Sequence, residues 1–230
     1  MSLTNYDLSG GIATITMADG KVNALSPEML GAISANLDEA EADAEADVVV
    51  LTGSATTFSA GFDLRTPAER WPEMLVAGAE LAAKLLAFPK PTVASCNGNA
   101  LAMGGFLLLS CDQRIGAAGD FKIGLNEVRI GLTLPYFGIA IARHRLSRPY
   151  YDRCTVTGMH LAPEEARAAG FLDQVVAAEV LEETTHSEAR ELTQVKQPAH
   201  SLTKLRIRES AIAGIRDGID RIQNREQADW

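Results

Sequence analysis

Residues Val48-Val49-Val50-Leu51 form an unbroken apolar, mostly β-branched run that stops at Thr52-Gly53. A strand with one wet face alternates apolar and polar residues. An unbroken run needs cover on both faces, which a parallel sheet flanked by helices supplies. Pro91–Ser95, Gln113–Ala117 and Leu172–Val176 read as further strands, and Tyr6–Leu8 and Ile12–Met17 as a hairpin turning on Gly10-Gly11. Helical signals lie between them. Ser26-Pro27-Glu28 offers an N-cap, a proline at the first position and an acid in the first turn, with Leu30, Ile33 and Leu37 following at helical spacing. Thr66-Pro67-Ala68-Glu69 matches a capping box and opens a second helix carrying Leu75, Leu81 and Leu85. Phe106–Leu109 reads as an apolar helix and Pro163-Glu164-Glu165-Ala166 as the start of another. Strands alternating with helices predict an α/β fold with right-handed crossovers.

A chain of 230 residues suits one large domain, or one domain with a small helical appendage. The division predicted here is a core over 1–198 and a C-terminal helical region over 199–230. In that region Leu202, Leu205, Ile212, Ile215, Ile219 and Ile222 fall at near-helical spacing, a stripe that the core or another subunit must cover. The formal charge of -9 gives no basic footprint for nucleic acid. An anionic ligand must then be met by helix N-termini and single basic residues. Cys96, Cys111 and Cys154 are odd in number and fit neither a disulfide framework nor a zinc site, so buried, reduced thiols of a cytoplasmic protein are expected. His144, His160, His186 and His200 show no metal-ligand spacing. The N-terminus lacks a basic region followed by an apolar run, and no uncharged apolar run reaches the roughly 18 residues of a membrane span, so neither signal peptide nor membrane partner is expected.

Two glycine-bearing loops follow buried strands: Phe58-Ser59-Ala60-Gly61-Phe62-Asp63-Leu64, and the stretch from Gly98 to Gly105. A loop leaving a strand and entering a helix presents unpaired backbone N–H groups, and small residues let a ligand approach that backbone. Two such loops meeting can aim two donors at one oxygen. Two tight turns without a ligand fit the same pattern. A nucleophile elbow of the form G-x-S-x-G is absent, and the Gly98 loop is not the G-x-G-x-x-G of a dinucleotide site.

The ordered set of motifs resembles the crotonase superfamily of enoyl-CoA hydratases and isomerases. Phe58–Leu64 matches its first loop, F-S/A-A-G-x-D-L/I. Asn97-Gly98-Asn99-Ala100, then Gly104-Gly105, then Cys111-Asp112-Gln113-Arg114, matches its second loop, the apolar helix after it and the C-D-x-R that closes it. Val22-Asn23-Ala24-Leu25 matches the segment that lies along the CoA adenine. The resemblance runs from about Tyr6 to Val176. It implies a crotonase-like spiral of ββα units, with C-terminal helices used to form a homotrimer or a dimer of trimers.

The resemblance also implies an oxyanion hole made by the backbone N–H groups of Phe62 and Met103. The family usually has glycine at the second position, and a methionine at positive φ would be unusual; Gly104 supplies the donor instead if the turn is shifted by one. CoA and acyl contacts are implied at Ala24, Leu25, Ala60, Asp63, Leu64, Arg65, Gly104 and Phe106. Read without the family, Asp63 and Asp112 are turn or capping acids, and Arg65 suits a solvated face as well as a CoA phosphate. Hydratases of the family use two glutamates. One would align with Phe106, which carries no carboxylate; the other aligns with Glu127. The string Ile123-Gly124-Leu125-Asn126-Glu127, with Gly131 and Pro135 after it, resembles the short-chain 3,2-trans-enoyl-CoA isomerases, which keep one glutamate. Removing a proton beside a thioester carbonyl produces an enolate, and preorganised donors at its oxygen are worth roughly 3–4 kcal/mol each. The expected function is isomerisation of 3-enoyl-CoA to 2-trans-enoyl-CoA. Glu127 would be the proton carrier, CoA part of the substrate, and no metal or redox cofactor needed. Enoyl-CoA hydration, a non-catalytic acyl-CoA-binding protein and an NAD-binding oxidoreductase are the alternatives.

Overall fold

The computed structural model describes residues 2–54 and 56–226. The hairpin forms as predicted: β1 (Thr4–Ser9) and β2 (Ile12–Met17) pair antiparallel through a two-residue turn in which Gly10 and Gly11 both have positive φ. From there the chain repeats one unit of a long strand, a short strand and a helix. The first is β2, β3 (Ala24–Leu25) and α1 (Pro27–Ala42), whose N-terminus is capped by the Ser26 side chain accepting from the Met29 N–H. The second is β4 (Val48–Gly53), the short pair β5 (Thr57–Ser59) and β6 (Gly61–Phe62), and α2 (Trp71–Ala87). The third is β7 (Thr92–Cys96), β8 (Asn99–Leu101) and α3 (Met103–Ser110). In the fourth, β9 (Gln113–Ala117) and β10 (Ile123–Gly124) lead through a 3-10 turn over Glu127–Ile130 into α4 (Tyr136–Arg145). The chain ends with α5 (Arg148–Val156), α6 (Pro163–Ala169), β11 (Gln174–Val176), α7 (Leu181–Leu192) and α8 (Ala199–Gln223).

The long strands form one sheet in the order β1-β2-β4-β7-β9-β11, parallel beyond the hairpin. The short strands stack as a second layer, β5-β8-β10 and the pair β3-β6, all parallel. Strand β4 explains its own unbroken run. Val49 and Leu51 enter the main core with α1 and α2, while Val48 and Val50 join Ile12, Val93 and Ile115 beneath Leu181 and Ala189 of α7. Both faces are covered, so no position in the Val48–Leu51 run selects for a polar residue.

Two expected starts move. The capping box at Thr66 does not form: Ala68–Arg70 makes a 3-10 turn with no side-chain cap, and α2 begins at Trp71 with Pro72 in its first turn. The Trp71 indole N–H instead donates to the Thr66 carbonyl at 2.9 Å, tying the turn down from the helix side. The second loop is also shorter than its sequence implied, because β8 and α3 occupy most of it.

Helix α8 packs on α2 and α4, and much of its apolar stripe is covered by its own chain. Ile212, Ile215 and Ile222 are buried, whereas Leu202 (49% exposed) and Leu205 (41%) are not. Gly218 lets the helices close up: a Cβ there would lie 2.6 Å from the Phe137 backbone nitrogen. Two cations pin the helix from the other side. Lys204 Nζ and Arg208 Nη2 each reach Asp112 at 2.7 Å, and Asp112 also accepts the Thr92 N–H at 2.8 Å. The sequence-level view of Asp112 as a structural acid fits this position. Of the predicted region 199–230, residues 227–230 lie outside the described residues.

Candidate active site

The first glycine loop is held by a buried asparagine. Asn23, at φ 51, donates its side-chain amide to the carbonyls of Thr57 (2.8 Å) and Phe58 (3.1 Å). Ser59 Oγ donates to the Asn23 carbonyl at 2.8 Å and accepts the Gly61 N–H at 3.1 Å. The Ala60 N–H donates to Val22 and the Asp63 N–H to Leu25. Successive N–H groups of an extended segment point to opposite edges, so with Asp63 turned toward β3 the Phe62 N–H points away from it. Gly61 has φ 92, and a Cβ on it would stand 2.8 Å from the Leu101 carbonyl and 3.2 Å from the Met103 nitrogen. Only a glycine lets the two loops touch here.

The second loop solves the methionine problem by moving the unusual backbone back one residue. Ala102 takes φ 48 and ψ -122, and Met103 is the first residue of α3. Its side chain is buried rather than directed at the cavity: a Cβ on Gly78 of α2 would lie 3.3 Å from Met103 Sδ and 2.6 Å from the Phe62 ring. The first intrahelical bond runs from the Phe106 N–H to the Ala102 carbonyl, so the N–H groups of Met103, Gly104 and Gly105 belong to the unpaired first turn. Gly104 serves close approach, since a Cβ there would meet the Ser59 carbonyl at 2.6 Å.

Where the loops meet lies a cavity of about 140 Å³, near the size that admits a six-carbon ring. Ala60, Phe62 and Leu64 line it from the first loop, Ala102 from the second, and Trp71 and Leu75 from α2. The 3-10 turn contributes Asn126, Glu127 and Ile130, and the segment after it Leu132, Thr133 and Pro135. Glu127 is 6% exposed. Burial pushes its carboxyl up to about 7, against a smaller opposing effect of its own backbone N–H, and its Oε2 has no hydrogen-bond partner. The carboxyl is therefore poised to take up and release a proton near neutral pH.

Of the residues singled out in the sequence, the structure brings Phe62, Ala60, Leu64 and Glu127 to one cavity and sets the Met103 backbone beside it. Others stand elsewhere. Phe106 is fully buried in the core, edge-on to Phe137 with ring centroids 5.8 Å apart, and packed against Gly138. Its helix is buried on every side, so this position faces α4 rather than the cavity. The Leu25 side chain also sits in the core. Ala24 donates its N–H to Asp19. Asp63 and Arg65 form a two-pronged pair at 2.8 and 2.9 Å, with the Arg65 side chain 75% exposed. Trp71, Leu75, Ile130 and Leu132 were not legible as wall residues, because nothing local distinguishes them from core positions. The three cysteines are free and buried, and no three His, Cys, Asp or Glu side chains gather as metal ligands among the described residues.

The sequence profile of the enoyl-CoA hydratase/isomerase family matches residues 7–213. The chain belongs to that family. Its fold is the crotonase fold: an enoyl-CoA isomerase of Mycobacterium tuberculosis superposes with a TM-score of 0.93 at 42% identity, over 97% of this chain and 98% of that one. An enoyl-CoA hydratase of Mycobacterium ulcerans gives 0.92 at 39%, over 98% and 100%. The human mitochondrial enoyl-CoA delta isomerase 1 is 30% identical over 214 residues, spanning 90% of this chain and 71% of that protein. The enzyme is thus similar to both isomerases and hydratases. Among its described residues no helix is long and apolar enough to cross a membrane.

Proposed function

We propose that the enzyme isomerises 3-enoyl-CoA to 2-trans-enoyl-CoA. The observation that carries this reading is the single carboxyl that the described residues bring to the cavity wall: Glu127, buried, shifted to about 7, with no second acid beside it among those residues. The ionised carboxylate takes a proton from C2. The C–H electron pair moves toward the thioester carbonyl, and the resulting enolate oxygen is held by the N–H groups of Phe62 and Met103. The pair then returns to form the C2=C3 bond, while the electrons of the old C3=C4 bond collect the proton from Glu127 at C4. One carboxyl suffices because the proton it removes is the one it returns, and the mostly hydrocarbon wall limits its loss to solvent. The N-terminal turn of α3 adds a favourable field at the developing oxyanion. CoA enters as part of the substrate, and the chemistry asks for no metal or redox cofactor. We further propose that the enzyme assembles as a homotrimer or a dimer of trimers, a reading supported by the uncovered Leu202 and Leu205 of α8.

The test is to incubate the purified enzyme separately with 3-enoyl-CoA and 2-enoyl-CoA and identify products by mass and retention. Conversion of the first to the second at unchanged mass is expected. No conversion by folded enzyme that binds acyl-CoA overturns the reading.

A further inference from the structure

The sheet departs from its apolar pattern at one place. Beneath α7 the buried aliphatic residues give way to hydroxyls at the carboxyl ends of three adjacent strands. Thr16 of β2 pairs with Thr52 of β4, and Thr52 with Ser95 of β7, so the three stand side by side in one row across the sheet. Each is the next-to-last residue of its strand. Thr14 lies on the same face, two residues back along β2. Helix α7 meets the row with a hydroxyl of its own: Thr185, 1% exposed, on the helix face that otherwise buries Leu181 and Ala189. A strand covered on both faces has no packing reason for such a row, and breaks in local consistency gather at functional sites.

These residues line a cavity of about 360 Å³, within the roughly 300–1,000 Å³ of small-molecule sites. Val50 and Leu181 supply apolar wall, and Glu182 and His186 join it from α7. The cavity shares no lining residue with the one that holds Glu127. It lies on the other face of the main sheet, since Ile15, Leu51 and Ala94, whose side chains alternate with the row, belong to the core with α1 and α2. Parallel sheets take ligands outside the carboxyl ends of their strands.

The hydrogen bonds already made decide what the wall still offers. Thr52 Oγ1 donates to the Ser95 carbonyl at 3.0 Å, so toward the cavity its oxygen only accepts. Thr185 Oγ1 and Ser95 Oγ share one bond at 3.0 Å. Whichever of the two donates, one hydroxyl proton is left over. Among the described residues, none bonds the Thr14 or Thr16 hydroxyl. Donors and acceptors are therefore mixed along the wall. A phosphate or carboxylate only accepts, and would meet the Glu182 carboxylate with no lysine or arginine on the wall to offset it. An ammonium only donates. A neutral polyhydroxyl molecule does both, and its C–H faces suit Val50 and Leu181.

We infer that this cavity is a second binding site, for one small neutral polyhydroxyl molecule of the monosaccharide or sugar-alcohol class. The inference goes beyond the isomerase reading and does not rest on it.

The experiment titrates the full-length enzyme with glucose, with xylitol and with inorganic phosphate. Nuclear magnetic resonance follows the His186 ring protons and the amides of Thr16, Thr52 and Ser95. Saturable shifts with glucose or xylitol are expected, with the Phe62 and Glu127 amides unmoved and no saturable response to phosphate. Thr16→Val keeps the shape of the residue and removes a hydroxyl that the fold does not use. It should bind the polyol about threefold to tenfold more weakly, the range for one hydrogen bond, with acyl-CoA affinity by calorimetry unchanged. His186→Ala tests the same weakening through the amide signals if the valine variant does not fold. No saturable shift with either polyol up to about 100 mM, where a millimolar site would be full, overturns the inference. Saturation by phosphate alone, shifts confined to the Glu127 cavity, or a folded variant that binds the polyol as tightly as wild type overturns it as well.

Discussion

Glu127 faces the cavity with its carboxyl pushed up to about 7 by burial, from an ordinary value of 4.5. Between those two values the folded enzyme binds more protons than the unfolded chain, so stability falls as pH rises through that window and levels off above it. A shift of this size corresponds to about 3 kcal/mol at about 1.4 kcal/mol per pH unit. Glu127→Gln should therefore melt above wild type at pH 8 and close to it at pH 4.5, which thermal unfolding at the two pH values will check. The same change should slow isomerisation by about 10²-fold or more, since it removes the proton carrier and keeps the shape. In wild type, kcat/KM should climb with pH toward a plateau above 7, because the base must be ionised; a flat profile from pH 5 to 9 would count against Glu127. This residue was legible in the sequence because an ordered motif placed it. Phe106 was misplaced for a physical reason: α3 is apolar all round, so its sequence carries no sign of which side meets the ligand. Asn126 is one letter of that same motif, and only the geometry shows its Oδ1 buried without a hydrogen-bond partner.

Loops and helices carry the next set of consequences. The two glycine loops meet at Gly61, where an added methyl would strike the Leu101 carbonyl and Ala102. Backbone cannot yield as a side-chain tip can, and alanine is also strained at φ 92. Gly61→Ala should part the loops and lower kcat by about 10²-fold, the range for losing one oxyanion donor, while acyl-CoA binding measured by calorimetry declines less. A second element-level test concerns α8. Asp112→Asn would leave Lys204 and Arg208 buried without their counter-charge, a change that typically costs about 3–5 kcal/mol. Urea unfolding should show the midpoint fall by a corresponding amount; an unchanged midpoint would mean the pair contributes only specificity. The sequence announced most elements through strand composition, the Ser26 cap and the Pro163 start. It misjudged the Thr66 start because Pro67 and the Trp71 indole bond favour a 3-10 turn before the helix. Little in the sequence marks α4 and α5, which are short and held by tertiary contacts rather than local propensity, whereas α7 carries a marked amphipathic pattern whose buried face is Leu181, Thr185 and Ala189.

At the scale of the molecule, the long strand, short strand and helix repeat four times, and the cavity draws wall from three of those units. Such a site depends on the rise of the whole spiral and not on any one loop. The outer face of α8 keeps Leu202 and Leu205 exposed while the inner face is filled. Sedimentation at micromolar concentration should show a trimer or hexamer, and Leu202→Glu with Leu205→Glu should shift it toward monomer; a monomeric wild type would refute the proposed assembly. The position of α8 also has a consequence in time. Lys204 is joined to the chain 92 residues after the acid it meets. While the ribosome is still working, Asp112 has only its bonds to Thr92, and the faces of α2 and α4 that α8 will cover are bare. The nascent polypeptide is thus an open vessel until α8 has been made and can close it. That interval of bare apolar surface is when a chaperone has something to grip.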